Sequence, residues 1–416
     1  MKTIFSLLIF VSLLFSDATI EVIKKVDALP SLAVEDSSQD YSETFKLKFY
    51  KTLVSDLNVI SIFNVDRHYR KVDFLQDRVD VANKDMDYVL RYSLSRGDSN
   101  SLFVKIKLLQ NDKEVLYKRY KIGRDNIYMF ISHAIAYDIN EFMGRPSVAW
   151  MKRKVIFSRI IAPMKSEIII SDYTLSYQQV VVKGGFNIFP KWANEKQNSF
   201  YFTSLDGKRP TLKYVDTRKG ISRTIMSSDG MMICSDVSRD GKKLLLTKAP
   251  NGQPDIYLYD VITHKTKRIT KYSGIDVNAQ FMDNDSKIVF VSNRLGYPNI
   301  FSKSLDANDV KQMVFYGKSN SACSANGEYI VYKSRESSNS FSRNTFNLHL
   351  ISTKTNFIRR LTAVGINEFP RFSRDSDAIL FIKNYKGQSS IGIIRLNYNK
   401  NYLFPLKYGK VQSMDW

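Results

Sequence analysis

The sequence predicts a two-domain protein, in which a small N-terminal α/β domain precedes a six-bladed β-propeller closed by the C-terminal strand. Three observations lead to this prediction. A short strand motif recurs six times in the last two-thirds of the chain, the chain ends in phase with that repeat, and residues 19–145 lack it. The 416 residues suffice to bury a core without disulfide staples. Cys234 and Cys323 fall two blades apart, so we expect separate free thiols.

The first 18 residues are typical of an export signal. Met1-Lys2 precedes an apolar run from Ile4 to Phe15, and Ser16-Asp17-Ala18 fits the small-x-small pattern of a signal-peptidase site. The run is shorter than the roughly 20 residues that span a bilayer. We therefore predict a mature protein that begins near Thr19 and does not span the membrane. Two alternatives stay open, an uncleaved anchor and a buried N-terminal strand.

Residues 19–145 carry helix and strand patterns that favour a small α/β domain. A stripe of apolar side chains at steps of four predicts an amphipathic helix after Ser37-Ser38. A second helix is predicted after Asp125 as N-cap, ending at Gly144. The stripe of the first helix is Tyr41, Phe45, Phe49, Leu53 and Leu57, and that of the second is Ile127, Ile131, Ile135, Ile139 and Phe142. Between them, three β-rich runs predict a meander, namely Tyr88–Leu94, Leu102–Leu109 and Val115–Ile122.

Residues 146–416 contain the repeat. Its strand triplets recur every 42 to 49 residues, close to the roughly 40–45 residues of one four-stranded propeller blade. Polar pairs such as Asp240-Gly241 and Asn326-Gly327 supply the positive φ of tight hairpins. The triplets are Val155-Ile156-Phe157, Phe200-Tyr201-Phe202, Leu244-Leu245-Leu246, Ile288-Val289-Phe290, Ile330-Val331-Tyr332 and Ile379-Leu380-Phe381.

The phase of the chain end predicts how the ring closes. No strand like the others precedes the first triplet near Val148, whereas Trp416 lies 44 residues after Phe372, in register with the innermost strands. We therefore expect 411–416 to return as the innermost strand of the first blade. Closure removes two open sheet edges, which would otherwise pair with other chains. An open β-solenoid is the alternative.

The chain is strongly basic, with 62 Lys and Arg against 41 Asp and Glu, which gives a formal charge of +21. Such a balance raises the question of nucleic-acid binding. The charges are scattered, however, without an arginine-rich tract or a groove-binding motif. We therefore expect no nucleic-acid partner, and at most weak attraction to acidic envelope surfaces.

A search for catalytic motifs predicts that the protein is not an enzyme and carries no cofactor or metal. The four histidines lie on unrelated elements, and HExxH, GxSxG and CxxC motifs do not occur. Gly317-Lys318-Ser319 lacks the glycine that a phosphate-binding loop needs five residues earlier. Asp283 and Asp285 lack the glycine and glutamate of a calcium loop, so we interpret them as turn residues.

Several segments share a pattern with one known family. Ser238-Arg239-Asp240-Gly241-Lys242, 369–373 and 267–270 look like recurring pieces of a propeller motif, and Ser171-Asp172-Tyr173 with the stretch 177–182 is more specific. The stretch from His133 through Gly144 adds to the likeness. Together they resemble the TolB family, the periplasmic component of the Tol–Pal system of Gram-negative bacteria. Several prolines and tryptophans of the family motif are replaced here.

The resemblance implies an adaptor that binds other proteins. In the family, the mouth of the propeller channel receives the lipoprotein Pal, and the flexible mature N-terminus engages TolA. The system supports outer-membrane integrity and invagination during cell division. By resemblance, this chain is expected to act in the periplasm with Pal and TolA as partners, and possible contacts with other envelope proteins stay open.

The resemblance also points to individual residues. The family's Pal-facing positions correspond to Met231, Cys234, Val277 and Asn278, where Met231 and Asn278 replace a histidine and a glutamate of the family. Short loops of all blades converge at the channel mouth, which independently favours that face. Polar residues expected on its rim are Asn278, Asn320, Asn367 and Glu368. The alternative that these are ordinary loop residues stays open.

A β-prone segment after the expected cleavage point is the candidate TolA-binding arm. An extended arm adds a strand to the sheet edge of its partner, with main-chain hydrogen bonds giving the affinity. The alternative is an edge strand of its own domain. The arm residues are Thr19, Ile20, Glu21, Val22, Ile23 and Val26.

Two rival functions remain. A propeller hydrolase related to prolyl oligopeptidase would need a separate α/β-hydrolase domain with a nucleophile elbow, and the chain leaves no room for one. A propeller scaffold of another envelope complex has the same general fold, and the α/β domain ahead of the repeat favours the TolB family over it.

Overall fold

The computed structural model of the protein describes residues 29–76, 78–79, 83–317, 319–336, 345–355, 357–375 and 377–416. The N-terminal region consists of β1 (Ser31–Asp36), α1 (Glu43–Val59), β2 (Asn64–Val65), β3 (Arg70–Lys71), β4 (Tyr88–Arg96), β5 (Leu102–Gln110), β6 (Lys113–Ile122) and α2 (Met129–Phe142). Its sheet has the order β2-β1-β4-β5-β6, and β3 also pairs with β1. The predicted meander is confirmed as β4, β5 and β6.

The first predicted helix is confirmed as α1, except that it begins at Glu43, so Tyr41 of the predicted stripe lies ahead of the helix. The Ser42 hydroxyl accepts a hydrogen bond from the Phe45 N–H at 3.4 Å and caps the helix. Phe49, Leu53 and Leu57 are fully buried against the sheet. The spacing of four residues therefore located both the helix and the face that it buries.

The second predicted helix is confirmed with two corrections. Asp125 is not its N-cap, because Asp125–Ile127 forms a 3₁₀ turn and α2 begins after Tyr128 without a side-chain cap. Phe142 does not point inward but is 45% exposed. Gly144 follows with φ +59°, the left-handed conformation that a C-terminal stop needs.

Strand β1 was not predicted from the sequence. It pairs in parallel with β2, β3 and β4 and lies inside the sheet. Glu35 on β1 and Arg91 on β4 are both fully buried, with Arg91 Nη2 and Glu35 Oε2 2.7 Å apart. Glu35 and Asp36 make the end of this strand resemble a polar loop. The arginine that pairs with Glu35 lies 56 residues away in sequence, so no local pattern shows that the carboxylate is buried.

The rest of the described chain consists mainly of antiparallel strands. After a 3₁₀ helix at Ala149–Lys152, four sheets of four strands and one of eight are formed. The eight-stranded sheet comprises β22–β25 and β26–β29, joined by the single parallel pair Phe346↔Ile366. The strands are β7 (Val155–Ala162), β8 (Lys165–Ser171), β9 (Gln178–Val182), β10 (Asn187–Trp192), β11 (Ser199–Ser204), β12 (Thr211–Asp216), β13 (Ile221–Ser227), β14 (Met232–Val237), β15 (Lys243–Lys248), β16 (Asp255–Asp260), β17 (Thr266–Arg268), β18 (Asp276–Met282), β19 (Lys287–Ser292), β20 (Asn299–Ser304), β21 (Val310–Gln312), β22 (Asn320–Asn326), β23 (Tyr329–Arg335), β24 (Phe346–Ser352), β25 (Ile358–Arg360), β26 (Ile366–Phe372), β27 (Ala378–Tyr385), β28 (Gln388–Arg395), β29 (Lys400–Pro405) and β30 (Lys410–Asp415).

The predicted pairing of the last strand with the first triplet strand is confirmed. Strand β30 runs antiparallel to β7, with Asp415 opposite Ile156 and Lys410 opposite Ile160, so the sheet order is β30-β7-β8-β9. The Trp416 ring lies 5.7 Å from that of Trp150. The C-terminus therefore completes the sheet that the chain began more than 250 residues earlier.

The two regions meet through buried polar contacts. His133 on α2 lies between two carboxylates, with Nδ1 2.8 Å from Asp56 Oδ2 and Nε2 3.2 Å from Asp172 Oδ2. Asp56 belongs to α1, and Asp172 follows β8. On β28, Arg395 Nη1 donates to the carbonyls of Val59 (3.1 Å) and Ile60 (2.8 Å), where a positive charge stabilises the C-terminus of α1.

Candidate functional site

The first strands of the repeats and β30 line a common axial space. Each of the six strands β10, β14, β18, β22, β26 and β30 has a register shift against its neighbour, typical of a β-bulge. Four bulged residues have positive φ, namely Phe189 (53°), Asn278 (57°), Ala322 (49°) and Phe369 (50°). A residue other than glycine with a positive φ has a strained backbone, and such strain clusters at functional sites.

At one end of the axial space, the bulges surround an apolar cavity of about 280 Å³. The Phe189 and Phe369 rings are 6.2 Å apart on its wall. The four positions implied by the family resemblance all line this cavity, with Met231 41% exposed at its mouth. They are Met231, Cys234, Val277 and Asn278. The structure therefore brings together residues from two different sheets that the sequence placed 47 positions apart.

Charged side chains form the floor of this cavity. Lys191 Nζ lies 3.0 Å from Asp415 Oδ1, and Arg371 Nη2 donates to the Ser235 carbonyl at 2.9 Å. Burial lowers the pKa of Lys191 and raises that of Asp236. These groups close the apolar cavity from below, so a ligand entering the mouth meets apolar walls first and ion pairs only at the base.

Cys234 contributes apolar surface rather than a reactive thiol. Its side chain is buried, and burial raises the pKa of the thiol well above its ordinary range. The thiolate is the nucleophilic form, so this group is inert at neutral pH. Cys323 is also buried, and the two cysteines are free, as predicted.

Asn320 and Asn367 do not lie on an open rim, and that expectation is wrong for both. Each is fully buried. Asn320 Nδ2 donates to Asn299 Oδ1 at 3.1 Å, and Asn367 Nδ2 donates to Asn347 Oδ1 at 3.2 Å. Their amides hold the start of an inner strand to the third strand of the preceding repeat, β22 to β20 and β26 to β24. A linear pattern cannot distinguish this role from a surface role.

Glu368 is half-buried near the rim and is not free. Its Oε1 lies 3.0 Å from Lys333 Nζ. A partner that used this carboxylate would have to displace the lysine. The arm residues Thr19 to Val26, the expected signal and its cleavage site lie outside the described residues.

Sequence reasoning missed the two phenylalanines of the cavity wall. The signal was present as a repeated Phe-Pro-basic-aromatic tetrapeptide, at Phe189–Trp192 and at Phe369–Phe372. In both copies the phenylalanine occupies the bulge and the basic residue reaches the axial floor. The repeat therefore encodes both the wall and the base of the cavity.

Within the described parts of the chain, no group of three or more His, Cys, Asp or Glu residues is arranged to hold a metal ion. In the same residues, no helix has both the length and the apolar character needed to cross a bilayer.

Comparisons with known proteins agree on one family. A family model described as the TolB beta propeller domain matches residues 149–416. The Tol-Pal system protein TolB of Wolinella succinogenes is 48% identical over 411 residues, covering 97% of each chain, and that of Campylobacter jejuni is 43% identical over 418 residues, covering 100% of each. The crystal structure of TolB from Acinetobacter baumannii has a TM-score of 0.77 at 20% identity, covering 93% of this chain and 97% of that chain. This last likeness concerns the fold alone.

Proposed function

The chain belongs to the TolB family of Tol–Pal system proteins, and from that premise we propose that it is a non-enzymatic periplasmic adaptor. Its N-terminal α/β region precedes a β-propeller domain. In this proposal residues 1–18 are a cleaved signal peptide, 19–145 form the N-terminal domain and its arm, and 146–416 form the propeller. The adaptor supports outer-membrane integrity and invagination during cell division by binding Pal and TolA.

The propeller of this proposal is a closed ring of six blades. Hydrogen bonds between successive inner strands support it. The Trp192 N–H donates to Asp415 Oδ2 at 3.0 Å, and the Phe281 N–H donates to Asp236 Oδ2 at 2.8 Å. Trp416 Nε1 donates to the Phe372 carbonyl at 3.1 Å, which links β30 back to β26. A variant that lacks 410–416 is therefore expected to lose its single cooperative unfolding transition.

The apolar cavity ringed by bulged strands is the observation that carries the proposed Pal site. Apolar side chains and two facing phenylalanines line a concave mouth, and a buried apolar anchor in such a pocket dominates the affinity of many protein interfaces. The bulges fix the backbone in advance, so little conformational entropy is lost on binding. We place an apolar side chain of Pal against the wall formed by Phe189 and Phe369, with Met231, Val277 and Asn278 around it.

Affinity for Pal, measured by isothermal titration calorimetry, tests this site. Met231→Glu puts a charge at the apolar mouth and is expected to weaken binding at least about tenfold, or about 1.4 kcal/mol. Asn278→Ala removes a rim amide and is expected to weaken binding less. Ile262→Glu is the matched control, because Ile262 is 68% exposed in a turn after β16, away from the cavity lining. Unchanged affinity in both mouth variants would refute the site.

The proposed TolA contact rests on the composition of the arm. Ile20, Val22 and Val26 give it the β-propensity that strand addition requires. Deleting 19–26 from the mature protein is expected to abolish capture of TolA and to leave the affinity for Pal within about twofold. Retained TolA capture by the shortened protein would contradict the arm, whereas loss of both partners would indicate misfolding and be recognised by circular dichroism.

A further inference from the structure

A second cavity of about 400 Å³ opens at the opposite end of the axial space. It lies where the inner strands end, and its wall consists of the last residues of these strands together with residues of the turns that follow β10, β14, β18 and β26. Lys191 and Arg371 line both cavities and separate them. In contrast to the apolar mouth, this second mouth is lined by charged groups.

The charges of the second mouth do not balance. Five cationic side chains face four carboxylates, and most of the cations have a partner. Lys191 pairs with Asp415, Arg374 with Glu195, and Arg239 Nη1 donates to Asn284 Oδ1 at 2.8 Å. The cations are Arg153, Lys191, Arg239, Arg371 and Arg374, and the carboxylates are Glu195, Asp236, Asp285 and Asp415.

Arg153 is the exception. Among the described residues it forms no ion pair within 4.0 Å, and its Nε is buried without a hydrogen-bond acceptor. Burial lowers its pKa, as it does for Arg374, whose pKa the charge of Arg153 lowers further. A buried N–H without an acceptor costs about 1–3 kcal/mol, and more on a charged group. The guanidinium groups of Arg153 and Arg374 repel each other, and the nearby carboxylate of Asp415 attracts both of them. An anion bound between the two arginines would offset the remaining repulsion.

We propose that the second mouth binds a small oxyanion, carried by a phosphate or a carboxylate, between Arg153 and Arg374. A guanidinium group donates two parallel N–H bonds that match the paired oxygens of such an anion. Glu195 is 62% exposed and occupies Arg374 in the free protein, so its carboxylate competes with the ligand. Trp192 and Trp416 form the apolar part of the wall.

Tryptophan fluorescence provides the assay, because two of the three tryptophans of the chain line this cavity. The folded mature protein is titrated with inorganic phosphate, and separately with acetate, with chloride replaced to keep the ionic strength constant. A saturable change is expected for at least one anion. Saturation by phosphate alone assigns a phosphoryl ligand, and saturation by acetate assigns a carboxylate.

Three variants test the residues. Arg153→Gln and Arg374→Gln are each expected to weaken binding at least about tenfold, because each removes one charge-assisted contact. Glu195→Gln is expected to tighten binding, because it removes the competing carboxylate. Arg218→Gln removes one exposed positive charge outside the cavity and should bind as the unaltered protein does. Absence of saturation with both anions, or equal affinity in the Arg153 and Arg218 variants, would overturn the proposal.

Discussion

His133 makes the stability of the protein depend on pH above neutrality. Its ring is fully buried between Asp56 and Asp172, which are also fully buried. Burial by itself disfavours the imidazolium, but the two carboxylates, Asp56 first, outweigh it and raise the pKa of His133 to about 9. The ordinary value is 6.5. The folded protein therefore binds this proton more tightly than the unfolded chain does. At about 1.4 kcal/mol per pKa unit, the difference between the two pKa values contributes up to about 3 kcal/mol to the free energy of unfolding.

The sign follows from which state holds the proton. Below pH 6.5 His133 is protonated in both states, and this stabilisation is fully present. Between pH 6.5 and 9 the unfolded chain has lost the proton while the folded protein retains it, so the free energy of unfolding falls as pH rises. Above pH 9 the contribution is gone. The interface between the two regions of the protein is thus expected to weaken first.

Two measurements check this expectation. The chain has only four histidines, so proton NMR resolves each imidazole titration, with His133 identified by its loss in His133→Gln. Urea unfolding from pH 6 to 9.5 should show a falling free energy of unfolding in the unaltered protein and in His68→Gln, whose ring is 81% exposed. Between pH 6.5 and 8 the slope should be much smaller in His133→Gln, because the two buried thiols contribute to the pH dependence only nearer their ordinary pKa. A His133 pKa near or below 6.5 would refute this reasoning.

Three further outcomes follow from buried groups. Arg91→Ala leaves Glu35 as a buried unpaired carboxylate and should lower the free energy of unfolding by about 3–5 kcal/mol in urea. Glu35→Gln should cost less, because the Arg91 guanidinium that it leaves still donates to the carbonyls of Asp73 and Arg78; a loss below about 1 kcal/mol in Arg91→Ala would argue against the buried charge as the cause. Gly392→Ala should lower the melting temperature, because a Cβ there would lie 2.3 Å from the Phe381 ring; Gly123→Ala, where nothing lies within 4 Å, is the control, and equal melting temperatures would contradict the packing. Both thiols should resist a disulfide reagent in the native protein and react in denaturant, since burial raises their pKa values; rapid native labelling would show that a thiol is accessible.

Local periodicity explains what could be predicted about the fold. The stripe of α1 and the six strand triplets are repeats along the chain, and each repeat unit dictates its own strands whatever its neighbours are. The pairing of the last strand was predictable for the same reason. Trp416 ends the chain at the repeat position of an innermost strand, and the first repeat, which begins with β7, is the one that lacks such a strand. Strand β1 was not predicted because the acidic Glu35 is buried in a pair with Arg91, which is distant in sequence.

The candidate site was only partly accessible from the sequence. The resemblance to TolB located Met231, Cys234, Val277 and Asn278, and all four line one cavity. It could not show that Asn320 and Asn367 turn inward, because an asparagine at the start of a strand has the same sequence pattern in either orientation.

The sequence by itself determined which segments become strands and how often they recur, because strand formation depends on side-chain alternation and turn residues close along the chain. Tertiary structure alone decided which side chains share the axial space. The bulged Phe189 and Phe369 contact each other although 180 residues separate them, and the Nε of Arg153, near Arg374, is left without a hydrogen-bond acceptor. Such neighbours arise only when separate sheets pack around one axis, and no local signal records which residues will meet there.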